Sequence, residues 1–447
     1  MTCLEIKPVR RARGEVTLPG DKSIAHRALL LSAITKGNTV INNFPFNDDC
    51  LATLDVLFKL GVKYKAVPKV KVIIIGKGLR GLDKPQTSLR IKESGTTFRL
   101  ILGILAGQNF ESRVSAGKSL SKRPMLRVTQ PLRLMGAGIS SRIMKSCAKR
   151  QEPRKYAEEY PPILIQGGAL KGITYKLPVA SAQVKSAILL AGLFTKEVTT
   201  VIEPIATRDH TERILKLFKA RIKVKGDNIV INGGHELVSP GTIYIPGDIS
   251  SAAFFIVLAV VLQGSHVKLR NSGLNFKRAG IIRILRRMGA KIKITNLKSR
   301  NYEPVADLDA YSSKLKAVVV DKDEIPSLID ELPILMVAAC FAKGTTIFRS
   351  VSELRVKETD RILSLMKNLK KMGACIRVVK NKGVEDILVQ GVGKLKGAYI
   401  NSFGDHRTAM SMIIAGLCAK GKSSLEGVSS VNKSFPEFLD FVRKITK

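Results

Sequence analysis

Apolar positions at helical spacing alternate with short β-branched runs along the whole chain, and the alternation returns six times. Each time a Gly- or Ser-rich turn leads into an apolar helix and a β-rich run follows. The openings are Leu18 (LPGDKSIAHRALLLSAITKGNTVI), Leu89 (LRIKESGTTFRLILGILAG), Leu177 (LPVASAQVKSAILLAGLF), Ile245 (IPGDISSAAFFIVLAVVLQGSHVKL), Ile325 (IPSLIDELPILMVAACFAKGTTIF) and Asn401 (NSFGDHRTAMSMIIAGLCAKGKSSL). A second phrase ends most units: KLGVKYK from Lys59, LMGAGI from Leu134, RMGAKIKI from Arg287 and KMGACIRV from Lys371. The third unit has FKARIKV from Phe218, with Lys219 where the others carry Gly. Such repetition marks one supersecondary module used many times. Differences between copies then show where chemistry was added.

Within the first unit, Ala28 to Ile34 has helical apolar spacing and Lys36-Gly37 supplies a stop. Val40-Ile41 starts a strand, a second helix is predicted from Asp49 to Leu60, and Lys63 to Ile75 mixes β-branched and basic residues as half-exposed strands do. The fourth unit repeats this: helix Ser251 to Leu262, strand Ser265 to Arg270, helix Arg278 to Met288, strand Lys291 to Ile294. Each unit reads βαβαββ. The expected fold class is α/β, with six such units, three per domain. At 447 residues one core is too few. Units one to three, residues 21–244, are expected to form one domain. Units four to six, residues 245–447, form the other with residues 1–20, closed by an N-terminal strand from Leu4 to Thr17. The charged, Pro-bounded stretch from Lys145 to Pro162 is expected as an exposed loop.

Charge changes this picture most. The formal net charge is +39, which points to an anionic partner, nucleic acid or small phosphorylated acids, or simply to a solvated Lys-rich surface. Lysines spread over the whole length, aromatics are only 5% and Trp is absent, so platforms for stacked bases are poor and no nucleic-acid partner is expected. The longest apolar candidate for a membrane span, Ala252 to Gln263, suits a buried helix instead. Met1 to Arg13 is basic without an apolar signal core, so a cytoplasmic location is expected. The six cysteines are scattered, with no C-x-x-C pair or Cys/His cluster, and indicate neither disulfides nor a metal site.

Several helix starts carry charged groups. Lys22, Ser23 and Arg27 follow Pro19-Gly20-Asp21. Ser23 and Arg27 share a helix face, and Ser23 sits near a helix N-terminus, where free N–H groups and the dipole favour an anion. An N-cap serine with solvent-facing bases describes the same residues. The fourth unit keeps the PGD-x-S frame but has Ile249 in place of Lys22, and that contrast favours a functional first unit. In unit five, Lys357 and Arg361 are expected on one helical face, with Glu358 turned about 100° away. Two cations beside a carboxylate can bind an anion while Glu358 moves a proton; an exposed, salt-bridged helix is the plain alternative. Asp330 reads as an N-cap before an apolar helix. Unit two adds Ser94-Gly95-Thr96-Thr97 and Arg123, unit three Ser181-Ala182-Gln183 and Arg208, unit six Asp405-His406-Arg407 and Lys433. Small residues at helix starts let a phosphate approach the backbone.

Taken in order, PGDKS-x-x-HR, SGTT-x-R, LSKRPM, SAQVKSA, TRDHTER, RVKETDR, GDHR-x-AM and KSFPEF resemble the 5-enolpyruvylshikimate-3-phosphate synthase family of enolpyruvyl transferases, from Leu18 to Phe438. The resemblance implies a two-domain inside-out α/β barrel that closes on substrate. It implies transfer of the enolpyruvyl group of phosphoenolpyruvate to the 5-hydroxyl of shikimate 3-phosphate, on the route to chorismate and aromatic amino acids, by a monomer needing no metal or organic cofactor. Carried over by position, Lys22, Ser23 and Arg27 would hold the shikimate ring substituents and carboxylate, Lys22 also reaching phosphoenolpyruvate. Ser181, Gln183 and Arg208 would bind the 3-phosphate. Arg123, Arg361, Arg407 and Lys433, near Gly95, would clamp phosphoenolpyruvate. Asp330 and Lys357 would hold ring hydroxyls, and Glu358 would be the acid/base partner; Lys22, Lys357, Asp330 and Glu358 are thus the expected catalytic set.

Three positions depart from the family pattern. Glu93 stands where Asn is usual, bringing a negative charge toward the expected phosphoenolpyruvate site; Glu353 stands where Asn is often found; Thr207 replaces Ser. Gly95 is kept, which implies sensitivity to glyphosate. The sister transferases acting on UDP-N-acetylglucosamine share the repeated fold, but carry a Lys-Asn pair at the first turn and a loop Cys near the Arg123 region, where this chain has Lys22-Ser23 and LSKRPM. An RNA-binding or RNA-end-processing protein on the same module is the rival from another class, and the lack of a basic aromatic patch argues against it.

Overall fold

The computed structural model describes residues 3–144, 158–381 and 383–446. The chain forms two compact units, Lys22–Ile245 and Met1–Asp21 with Pro246–Lys447. In each, three helices are buried on nearly every face. Lys22–Ala33, Gly95–Leu105 and Ala182–Gly192 fill the first unit; Ile249–Val261, Leu332–Cys340 and His406–Leu417 fill the second. They carry apolar residues all round, as wholly buried helices must. Each unit has its own continuous hydrophobic cluster.

The described strands form six sheets, five of four strands and one of three. Their pattern is constant. Arg13–Thr17 runs parallel to His266–Gly273, which pairs antiparallel with Glu303–Tyr311, which pairs antiparallel with Lys291–Arg300. The sheet of the first repeat has Thr242–Tyr244 parallel to Lys36–Asn42, then Lys71–Lys77 and Lys63–Val67. Each of these two sheets thus takes its first strand from a distant part of the chain. The N-terminal segment is not the one strand expected from Leu4 to Thr17. Cys3–Ile6 joins Ser423–Glu426 in the last sheet, and Arg13–Thr17 joins the fourth. Pro8, which lacks a ladder donor, lies in the break. The expected loop is also shorter at its end: residues 145–157 lie outside the described residues, and Glu158–Gln166 is a strand.

Counted from the parallel strand, the last strand of each four-stranded sheet is an edge, and in three of the five it is strongly basic. Lys63, Lys65, Arg221, Lys223, Lys225, Lys291 and Lys293 are exposed there. Charged edges resist strand addition by a second chain, which accounts for part of the positive charge.

The repeated closing glycine has a backbone cause. Gly61, Gly136, Gly289 and Gly373 have φ of 80°, 104°, 94° and 84°, the left-handed turn that ends a helix. Lys219 occupies the same place with φ 59°, strained for a residue with a Cβ. Lys219→Gly is expected to raise stability by about 0.5–1 kcal/mol, read from the urea midpoint at unchanged slope; a lower midpoint would refute the strain.

Candidate active site

The expected residues of the Lys22–Ile245 unit gather at the N-terminal ends of its three buried helices. Lys22 opens the first, and its Nζ lies 2.8 Å from Asp49 Oδ2. Arg27 is one turn on and buried. Its Nη1 donates to Ser23 O at 2.8 Å, its Nε to Thr211 Oγ1 at 2.6 Å and its Nη2 to Ser186 Oγ at 2.7 Å. Ser94 caps the second helix, accepting from Thr97 N, and Ser181 caps the third, accepting from Val184 N. Arg99 joins these two helix starts. It donates to Gln183 Oε1 at 2.8 Å, and Gln183 Nε2 donates to Thr96 Oγ1 at 3.0 Å. Arg123 ends the short turn Leu120–Lys122, close to Gly95: a Cβ there would meet Arg123 Nη1 at 2.7 Å and Arg99 Nη1 at 3.0 Å. Arg208 is half-buried in the turn before the His210–Leu217 helix.

The second unit gathers its set around two buried charges. Arg361 has a side chain only 2% exposed and touches three carboxylates. Its Nε donates to Asp405 Oδ2 at 2.9 Å, its Nη2 to Glu358 Oε2 at 2.6 Å and its Nη1 to Asp330 Oδ1 at 3.4 Å. Burial pulls against the charge, but Asp405, Glu358 and Asp330 outweigh it and hold the guanidinium above the ordinary arginine range. Glu331 is the second centre. It is fully buried, accepts from Arg278 Nη1 at 2.9 Å on both oxygens, accepts from Ser250 Oγ, and lies 3.8 Å from Arg407 Nη1. Lys433 Nζ donates to Gly404 O at 2.8 Å, beside the capping Asp405.

Two expectations about local geometry are corrected here. Asp330 does not cap the Leu332–Cys340 helix; Glu331 holds the cap position without a capping bond. The Asp330 carboxylate turns to Arg361 instead, because a buried guanidinium outbids a backbone N–H. Lys357 and Arg361 do not share a helix face either. Asp360 caps the next helix by accepting from Leu363 N, so that helix begins at Arg361 and leaves Lys357 and Glu358 in the preceding turn. Arg355, paired with Glu385 at 2.7 Å and Asp360 at 2.6 Å, pins that turn.

The two extra glutamates both have partners. Glu93 accepts from Ser119 N at 3.2 Å and Leu120 N at 2.8 Å, so backbone donors of a neighbouring turn take up its charge. Glu353 lies 3.6 Å from Lys357 Nζ. Sequence reasoning missed Lys185, Glu203, Glu212, Arg278 and Glu331. All are buried charges; Lys185 and Glu331 were signalled only by their placement inside apolar phrases, and Glu212, in the polar TRDHTER, had no such signal.

Behind the first helix start runs a chain of hydroxyls. His26 Nδ1 lies 2.7 Å from Thr53 Oγ1, Thr53 Oγ1 lies 2.7 Å from Thr97 Oγ1, and Thr97 Oγ1 donates to Ser94 Oγ at 2.7 Å. Burial above all, then Lys22 and Arg27, lowers the His26 pKa well below 6.5. The unfolded chain therefore takes up this proton first. The stability held by neutral His26 is present above about 6.5 and is lost as pH falls below it. In NMR titration of the native protein the His26 ring resonances should stay flat from pH 8 to about 5.5; a midpoint near 6.5 would show a solvated ring.

Comparison with known proteins shows the family. A family model described as EPSP synthase (3-phosphoshikimate 1-carboxyvinyltransferase) matches residues 6–442. The 3-phosphoshikimate 1-carboxyvinyltransferase of Geobacillus thermodenitrificans is 45% identical over 447 residues, 99% of each chain, and that of Desulforamulus reducens is 43% identical over 442 residues, again 99% of each. The solved EPSP synthase of Acinetobacter baumannii superposes with a TM-score of 0.84 at 40% identity, covering 100% of this chain and 98% of that one. The enolpyruvyl transferase NikO of Streptomyces tendae shares the fold, with a TM-score of 0.76 at 17% identity over 99% of this chain and 97% of its own. With a model matched almost end to end and relatives above two-fifths identical, the chain belongs to the EPSP synthase, or 3-phosphoshikimate 1-carboxyvinyltransferase, family.

Proposed function

We propose a division of labour for the family's reaction, transfer of the enolpyruvyl group of phosphoenolpyruvate to the 5-hydroxyl of shikimate 3-phosphate with release of phosphate. Lys22, Ser23 and Arg27 hold the ring substituents and carboxylate of shikimate 3-phosphate, and Ser181, Gln183 and Arg208 its phosphate. Arg123, Arg361, Arg407, Lys433 and Lys22 take phosphoenolpyruvate, whose approach Gly95 permits. Asp330 and Lys357 hold ring hydroxyls. Each substrate carries a carboxylate and a phosphate, so fixed cations are the main requirement, and arginine matches both groups with paired donors.

The observation that carries this reading is the grip of Arg361 on both Asp330 and Glu358. One buried cation holds two carboxyl groups side by side, the placement that a base and an acid acting on neighbouring atoms require. In the reaction Glu358, once protonated, gives its proton to the methylene carbon of phosphoenolpyruvate. The 5-hydroxyl oxygen bonds to the adjacent carbon and passes its proton to Asp330, beside Lys357. In the tetrahedral adduct that results, Glu358 takes a proton back from the new methyl group as the carbon–oxygen bond to phosphate breaks, and the proton left on Asp330 goes to the departing phosphate, which leaves as hydrogen phosphate. Exclusion of water strengthens every charge contact in these steps. The same reading makes the enzyme a cytoplasmic monomer acting without cofactor; among the described residues no helix is long and apolar enough to cross a membrane.

The first test is phosphate release from phosphoenolpyruvate, expected only when shikimate 3-phosphate is present and absent with UDP-N-acetylglucosamine as acceptor. Glu358→Gln should lower kcat by about 10²-fold or more while the calorimetric Kd of shikimate 3-phosphate stays within about threefold; near-normal turnover removes Glu358 from the chemistry. Gly95→Ala drives a methyl group against Arg123 and Arg99. It should raise KM for phosphoenolpyruvate about tenfold with little change for shikimate 3-phosphate. An unchanged KM for phosphoenolpyruvate would take Arg123 out of that substrate's site.

A further inference from the structure

Lys185 is wholly buried, and no step above uses it. An ammonium taken out of water costs several kcal/mol unless it is well matched. Its Nζ lies 2.9 Å from Glu203 Oε1 and 2.7 Å from Glu212 Oε1, and both carboxylates are themselves buried. Those glutamates bracket a single turn. Glu203 directly follows the Val198–Ile202 strand, and Glu212 lies in the first turn of the His210–Leu217 helix. Arg208 sits between them. Thr207, the residue before it, donates its hydroxyl to Glu203 Oε1. The next residue along the buried helix, Ser186, reaches the other arginine: its Oγ accepts from Arg27 Nη2 at 2.7 Å and lies 2.6 Å from Thr211 Oγ1, which accepts from Arg27 Nε.

We propose that Lys185 is a positioning residue for the shikimate 3-phosphate half of the reaction. By closing both ends of the 203–212 turn on one fixed charge, it sets the Arg208 side chain and, through Thr211, the guanidinium of Arg27. The inference rests on the assignment of those two arginines to shikimate 3-phosphate. Its consequence is selective. The ion triad supports one substrate's contacts, so its loss falls on the affinity for shikimate 3-phosphate rather than on phosphoenolpyruvate.

Lys185→Met keeps the unbranched side chain to its fourth atom and removes the ammonium. The Kd and KM for shikimate 3-phosphate are expected to rise about tenfold or more, while KM for phosphoenolpyruvate at saturating shikimate 3-phosphate stays within about threefold. The two glutamates left behind destabilise the core, so Thr207→Val is measured beside it. That variant keeps volume and ion triad, cuts only the link to the Arg208 turn, and should raise the Kd of shikimate 3-phosphate about threefold or more. Should Lys185→Met fail to fold, Thr207→Val decides alone. Parental affinity for shikimate 3-phosphate in the folded variants, or a KM rise shared equally by both substrates, overturns the positioning role. Arg208→Ala separates the two readings. If it loses affinity while the others do not, only the positioning role is wrong; if it too binds normally, the assignment beneath it falls.

Discussion

A helix buried on every side can meet polar groups only at its ends, and this constraint organises both units. Each packs three such helices inside its sheets, so their middles are apolar and their N-terminal turns collect the hydroxyls, amide groups and cations. The free N–H groups and dipole of a helix start favour anions there. A family whose two substrates each bear a phosphate and a carboxylate suits that architecture: the scaffold's unavoidable polar ends are also where anions are favoured.

Charge brought to these ends has to be matched, and the two units do it differently. Around Arg361 the protein uses three carboxylates, and around Glu331 two arginines and a serine hydroxyl. In the other unit Arg27 is held by hydroxyls and a carbonyl, with the carboxylates set back around Lys185. Hydroxyl and carbonyl acceptors fix the Arg27 guanidinium in place. Arg361, surrounded by acids, holds Asp330 and Glu358 in place.

Much of the fold was legible because its signals are local. The 3.6-residue apolar pattern marked the core helices, and the closing glycine marked left-handed turns that the backbone requires. Lys219, the one departure from that glycine, has the same backbone sign as the residues it replaces. The strand exchange was less visible: residues 1–20 were expected with the later units and residues 21–244 with the earlier ones, but hydrogen bonding alone says which sheet Arg13–Thr17 and Thr242–Tyr244 enter. The charged residues at the helix starts were legible in identity but not in contact. Asp330 looked like a helix cap and Lys357 like the helical neighbour of Arg361, because capping and i to i+4 rules count only nearby residues. A buried guanidinium and an aspartate cap at Asp360 overrode both.

The sequence alone determined the repeated α/β module, the identity of the charged residues at helix starts and the family resemblance, since periodicity and ordered motifs are carried by neighbours along the chain. Only the tertiary structure decided which charges face which. Arg361 against Asp330, Glu358 and Asp405, Glu331 against Arg278, Glu93 against the amides of Ser119 and Leu120, and Lys185 against Glu203 and Glu212 are pairings across tens of residues or separate elements. The physical reason is that electrostatic energy depends on distance and burial, and neither is a property of sequence spacing once the chain has folded.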